Sequence, residues 1–235
     1  EIFSHNDLEQ LRKLMDHKIK KKTPVIVIES LYSMDGDIAP VSEIASLAER
    51  VGAWLVVDEA HATGVLGPDG KGLTSGVDYD RLVSIHTAGK ALGAYGAFVL
   101  CRQSVKDYLI NSARTFLFAT APSPVSVIQI MAALDVIKEK PELRQSLHER
   151  IRFFRKHLWK STGEISPIHP LILGSNERVL EASEALEKEG IQVRAIRYPT
   201  VPRGRERLRV VVRASHSEDE IKLGAKALRR FCGNA

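Results

Sequence analysis

Cysteine is almost absent from this chain of 235 residues: only Cys101 and Cys232 occur, far apart in sequence. That excludes a disulfide framework and points to a reducing compartment, so a cytoplasmic protein is expected. Metal-binding spacings of the HExxH or CxxC kind are missing, as is the G-x-S-x-G elbow of serine hydrolases. No apolar run approaches the ~20 residues of a bilayer-crossing helix, and no signal-peptide pattern opens the chain. Positive charge is in modest excess, +5, too small and too dispersed to imply a nucleic-acid partner. Its densest run, Lys18-Ile19-Lys20-Lys21-Lys22, closes a polar helical stretch before Pro24. It reads as a solvated helix end favoured by the dipole, with contact to phosphates or an acidic carrier protein as the lesser alternative. The first residue is Glu1 and not Met, from which a chain that starts inside a longer protein is expected.

What is present is the composition of an ordinary globular protein, 44% hydrophobic and 27% charged. Residues 7 to about 21 read as a helix with Leu8, Leu11, Leu14 and Met15 on one face. Short continuous apolar runs at 25–28, 54–57, 82–85 and 97–100 read as strands, alternating at first with a helix at 40–51. Helices follow at 105–117, 125–138 and 141 to about 160, and Gly163 and Pro167 mark a boundary. Beyond it the pattern predicts strands at 169–173, 193–196 and 207–212 and helices at 177–189 and 218–231, the last capped by Ser217. The expected fold class is α/β. Residues 1–162 form part of a large domain with a parallel-rich sheet, and 163–235 a small α+β domain. So few parallel strands leave an exposed sheet edge unless another segment or chain covers it.

Two segments concentrate the chemistry. In Val56-Val57-Asp58-Glu59-Ala60-His61 and Thr87-Ala88-Gly89-Lys90-Ala91-Leu92-Gly93, an acid and an amine each follow a buried strand. Ligands of open parallel sheets sit outside the carboxyl ends of the strands. An acid there can keep a ring nitrogen protonated and an amine can hold an aldehyde carbon as a Schiff base, which is what pyridoxal 5'-phosphate (PLP) requires. Gly89 and Gly93 permit close backbone approach to a flat cofactor. Each residue has a plainer reading: Lys90 as a surface lysine, Asp58 as a strand-end acid or helix cap, His61 as a structural histidine. Their coincidence at strand ends favours a site. Asp58-Glu59-Ala60-His61 also spells a helicase box, but Gly67-Pro68-Asp69-Gly70-Lys71-Gly72 is too short for a phosphate loop and lacks its Ser/Thr.

The run from Ile28-Glu29-Ser30-Leu31-Tyr32-Ser33-Met34-Asp35-Gly36-Asp37 to Pro40 resembles the alpha-oxoamine synthases, PLP enzymes of fold type I. So do Val57 through Gly67, Thr87 through Gly93, Ala195-Ile196-Arg197-Tyr198-Pro199-Thr200-Val201-Pro202, and Arg207-Leu208-Arg209. These motifs occur in the family's order along nearly the whole chain. The resemblance implies decarboxylative condensation of an amino acid with an acyl thioester, carried by coenzyme A or by acyl carrier protein. Lys90 then forms the Schiff base and removes the substrate Cα proton. Asp58 pairs with the pyridinium nitrogen, and His61 bonds the ring's phenolic oxygen. Thr87 contacts the phosphate, Ser33 lies near the ring, and Arg197 binds the amino acid carboxylate. Thr120 matches a residue on the phosphate of the other subunit's cofactor, which implies a homodimer. Gly93-Ala94-Tyr95-Gly96-Ala97 favours the branch that uses L-alanine and a pimeloyl thioester over relatives acting on glycine, and other alpha-oxoamine synthases of the glycine C-acetyltransferase, serine palmitoyltransferase or 5-aminolevulinate synthase type are the alternative. The remaining rival is an inactive truncated homologue that serves as a dimer partner. Departures are Tyr198, where a second proline is usual, Ala119 in place of a serine, and Arg213 at a position usually small. The family's ring-stacking histidine and phosphate loop have no counterpart, so 1–235 alone is expected to be weakly active or inactive.

Overall fold

The computed structural model describes residues 1–18, 23–159 and 165–232. The expected helix end near 21, most of the basic run and the boundary at 162/163 lie outside the described residues. The chain packs as two compact units, residues 1–31 with 38–141 and residues 32–37 with 142–235.

In the first unit, helix α1 (Leu8–Lys18) precedes strand β1 (Val25–Glu29), helix α2 (Val41–Val51) and strands β2 (Trp54–Asp58), β3 (Leu82–Thr87) and β4 (Ala97–Leu100). The sheet order is β1-β2-β3-β4, with β1, β2 and β3 parallel and β4 antiparallel to β3. An alternating layer predicts parallel strands throughout. Instead β4 returns directly, because the nine residues between β3 and β4 leave no room for a helical crossover. One sheet face is built from Ile26, Ile28, Leu55 and Val57, all buried. The apolar stripe of α2 adds Ile44, Leu47 and Ala48 to the buried core. Full burial of such aliphatic side chains contributes about 1.5–3 kcal/mol each. Gly52 ends α2 in the left-handed region (φ 63°) and its N–H caps the carbonyls of Ala48 and Glu49. On the other face Val25 and Val27 remain 56% and 65% exposed.

Three further helices complete this unit: α3 (Gln103–Ser112), α4 (Arg114–Leu117) and α5 (Pro124–Glu139). The single helix expected at 105–117 is broken at Ala113, whose backbone is extended (ψ 101°). None of these three helices has a buried residue, although α5 carries Val125, Ile128, Met131 and Leu134.

The second unit holds helix α6 (Pro141–Trp159), strand β5 (Ile168–Ile172), helix α7 (Asn176–Glu187), strands β6 (Arg194–Ile196) and β7 (Arg207–Val211) and helix α8 (Glu218–Leu228). Its antiparallel sheet has the order β5-β7-β6. Ile151 and Phe154 of α6, Val179 and Leu186 of α7, Leu208 of β7 and Ile221 and Leu228 of α8 share one core. The last of these helices begins with a capping box. The Ser217 hydroxyl accepts from the Glu220 N–H at 3.2 Å, and the Glu220 carboxylate accepts from the Ser217 N–H at 2.7 Å.

Residues 32–37 join the second unit through two arginines of β7. Arg207, 2% exposed, donates from Nη1 to the Met34 carbonyl at 3.0 Å and to the Asp35 carboxylate at 2.6 Å. Arg209 Nε donates to the Ser33 carbonyl at 2.6 Å. Among the described residues, no helix is long and apolar enough to cross a membrane.

Candidate active site

Strand register decides which nominated side chains share a surface. Asp58 pairs with Ile85 across β2 and β3. Side chains two residues apart on a strand point the same way, so Thr87 lies on the same sheet face as Ile85 and Asp58. Both sit at carboxyl ends of adjacent parallel strands, half-buried. Asp58 Oδ1 accepts from the Ala60 N–H at 2.8 Å, which turns the carboxylate into the following loop. Its Oδ2 makes no hydrogen bond among the described residues and is available to a cationic partner. Lys90 lies in the turn after Thr87, exposed, with its carbonyl accepting from Gly93 at 3.1 Å. His61 is half-buried in the helical turn after Asp58.

Asp58, His61, Thr87 and Lys90 are thus brought to the carboxyl ends of β2 and β3. Thr120 is exposed in the segment between α4 and α5 of the same unit. The two other nominated residues belong to the second unit. Ser33 is half-buried and held through its carbonyl by Arg209, and Arg197 is exposed just after β6. A carboxylate with an open oxygen, a hydroxyl on the same face and an amine in the next turn form a donor set that fits PLP. A cavity of about 720 Å³ lies elsewhere in the first unit, lined by Thr63, Ser84, His86, Phe98, Leu134 and Ile137. None of the nominated residues lines it, and the chemistry at Asp58 and Thr87 faces the other way.

Behind these residues lies a buried polar layer that sequence reasoning missed. Glu59 is 0% exposed, and its carboxylate accepts from the Ser30 hydroxyl and the Thr74 N–H, each at 2.6 Å. Gly72 makes room for it: a Cβ there would stand 2.7 Å from the carboxylate carbon. His86 is also buried, with Nδ1 2.8 Å from Thr63 Oγ1 and Nε2 2.9 Å from Ser84 Oγ. Its ring stacks on Phe98 at 5.0 Å. Burial pushes its pKa below the usual histidine value, against the opposing pull of the Glu59 and Asp58 charges. The available signal was polar residues at alternate positions, Ser84 and His86, inside an apolar strand whose inward face must satisfy them.

A family model for aminotransferases of class I and II matches residues 3–228. A putative 8-amino-7-oxononanoate synthase of Desulforudis audaxviator is 44% identical over 225 residues, covering 93% of this chain and 58% of that protein. The 8-amino-7-oxononanoate synthase of Chromohalobacter salexigens is 41% identical over 226 residues, with the same coverages of 93% and 58%. Among solved structures, a serine palmitoyltransferase of S. paucimobilis with bound PLP-myriocin aldimine aligns with a TM-score of 0.89 at 26% identity, covering 97% of this chain and 59% of that one. The Francisella tularensis 8-amino-7-oxononanoate synthase gives 0.81 at 26% identity, covering 96% and 66%. The chain therefore spans less than two thirds of the length of each of these proteins. The resemblance to alpha-oxoamine synthases read from the motifs is borne out. By the match that runs from residue 3 to residue 228, this chain belongs to the aminotransferase class I and II family.

Proposed function

We propose that the protein containing this chain is a PLP-dependent 8-amino-7-oxononanoate synthase. It condenses L-alanine with a pimeloyl thioester, of coenzyme A or a carrier protein, and releases carbon dioxide and the free thiol, a step of biotin biosynthesis. The observation that carries this reading is identity of 41–44% to synthases of that name along 93% of the chain.

When bound, PLP supplies an electron sink that stabilises negative charge at the amino acid Cα. The chain's own residues then divide the work. Asp58, with Oδ2 available, holds the proton on the ring nitrogen, and Thr87, on the same face, binds phosphate. Lys90 anchors the cofactor's carbonyl carbon and moves the proton at the substrate Cα, a role suited to a primary amine. His61 donates toward the ring oxygen and Ser33 lies beside the ring. Arg197 binds the substrate carboxylate with a planar guanidinium. Thr120 reaches the phosphate of a partner subunit, so the working species is a homodimer, and its compartment is the cytoplasm.

The test uses the full gene product. Borohydride reduction in the presence of PLP is expected to label Lys90. L-alanine is expected to outperform glycine and serine as the co-substrate of pimeloyl-CoA. Labelling at another lysine, or a preference for glycine or serine, overturns the assignment. Residues 1–235 alone are expected to give little turnover in the same assay.

A further inference from the structure

The buried layer beneath Asp58 and Thr87 links two segments that the proposed chemistry needs in register. The turn after β2 runs from Glu59 to Thr63, with the Ala62 and Thr63 N–H groups closing on the Glu59 carbonyl at 3.0 and 2.9 Å. Only its first residue is tied to β3 through the backbone, by the Glu59 N–H to the Ile85 carbonyl at 2.8 Å. Its last residue is tied by a side chain: Thr63 Oγ1 and His86 Nδ1 are 2.8 Å apart, both residues buried. The two tethers straddle His61, and the second ends on the residue preceding Thr87.

Proton counting fixes the sense of the link. The single hydroxyl proton of Thr63 goes to the Glu59 carbonyl at 2.8 Å. The proton between Thr63 and His86 is therefore the one on Nδ1, which leaves Nε2 to accept from the Ser84 hydroxyl at 2.9 Å. Both ring nitrogens of a neutral imidazole are then satisfied, in one tautomer, and the Phe98 ring fixes the plane. A hydrogen-bonded side chain locked in this way restricts its own rotamers and those of its partners. Ser84 lies on the same strand as His86, so its bond orients the ring without joining separate segments.

We propose that His86 is a positioning residue: through Thr63 it braces the turn bearing His61 against the strand end bearing Thr87, and so holds the PLP-binding groups in place. This rests on the PLP reading above. His86 itself faces the opposite side of the sheet and touches neither cofactor nor substrate.

Three substitutions in the full gene product separate bracing from simple stability. His86→Phe keeps a flat ring against Phe98 and removes both hydrogen bonds. Thr63→Val removes the hydroxyl that joins turn to strand. Ser84→Ala removes only the bond within β3. The readouts are the PLP dissociation constant by equilibrium dialysis and amide hydrogen exchange of residues 59–65 in the cofactor-free protein. His86→Phe and Thr63→Val are expected to weaken PLP binding about tenfold or more, the scale seen when the orienting partner of a ligand is lost, and to speed exchange in the turn. Ser84→Ala is expected to shift binding less than about threefold. Unchanged binding and exchange in Thr63→Val overturn the brace, and so does an equal loss in all three variants. Should His86→Phe fail to fold, the contrast between Thr63→Val and Ser84→Ala decides. If the unaltered protein binds no PLP, the functional reading fails, while exchange in the cofactor-free variants still judges the brace.

Discussion

The two units solve the problem of burying apolar surface to different degrees. In the second, α6, α7, α8 and the three-stranded sheet converge on one core, and Leu186 and Leu208 are fully buried. In the first, β1 and β2 have one well-covered face, yet Val25 and Val27 on the other are largely exposed and α3, α4 and α5 carry no fully buried residue. Contiguous exposed apolar surface marks an interaction site or a place for more protein. The lesson is that the second unit is self-sufficient in its packing, whereas the unit bearing Asp58 and Lys90 is not.

Stability measurements can break that comparison. The largest effect is expected from Leu208→Ala in the second unit, with a loss of about 3–5 kcal/mol in denaturant melts, since a fully enclosed cavity cannot collapse. Val27→Ala in the first unit is expected to change the stability of this chain by less than about 0.5 kcal/mol. Comparable losses at the two positions would erase the contrast.

The next effect comes from pH. His169 is buried in the second unit against Phe154 and Trp159, and its Nε2 makes no hydrogen bond among the described residues. Burial, with a smaller push from Arg155, lowers its pKa to about 3. A base with a folded pKa below its unfolded value takes up its proton first in the unfolded chain. Its stabilisation is thus complete above about pH 6.5 and is lost as pH falls toward 3, at up to about 1.4 kcal/mol per pH unit. Melts between pH 7 and 4 should show this slope, and His169→Phe should flatten it. His86 adds a contribution of the same sign in the first unit. A local effect sharpens the picture further: Ser217→Ala, by removing one half of the capping box, is expected to lower stability by about 1 kcal/mol.

Legibility in the sequence followed the range of the interactions. The strand at 54–57 was readable because a continuous apolar run between turn residues leaves little alternative, and the Ser217 cap because a hydroxyl three residues before a glutamate has a local partner. Ala113 was not readable as a break, since nothing in its own chemistry forbids a helix. Asp58 and Lys90 were visible as candidates, an acid and an amine at strand ends. That Asp58 and Thr87 share a face required the β2–β3 register, which is a non-local pairing. Thr63 and His86 lie 23 residues apart and their bond left no local trace.

By itself, then, the sequence determined the element types, the α/β class, the family and the candidate chemistry, because apolar period, turn residues and motif order are properties of neighbouring residues. Tertiary structure alone decided that β4 runs antiparallel, that residues 32–37 belong with β7 through Arg207 and Arg209, and that His86 joins Thr63 beneath the site. Those depend on which distant segments meet, and burial makes such meetings selective: a polar group removed from water must find its partner wherever the fold places one.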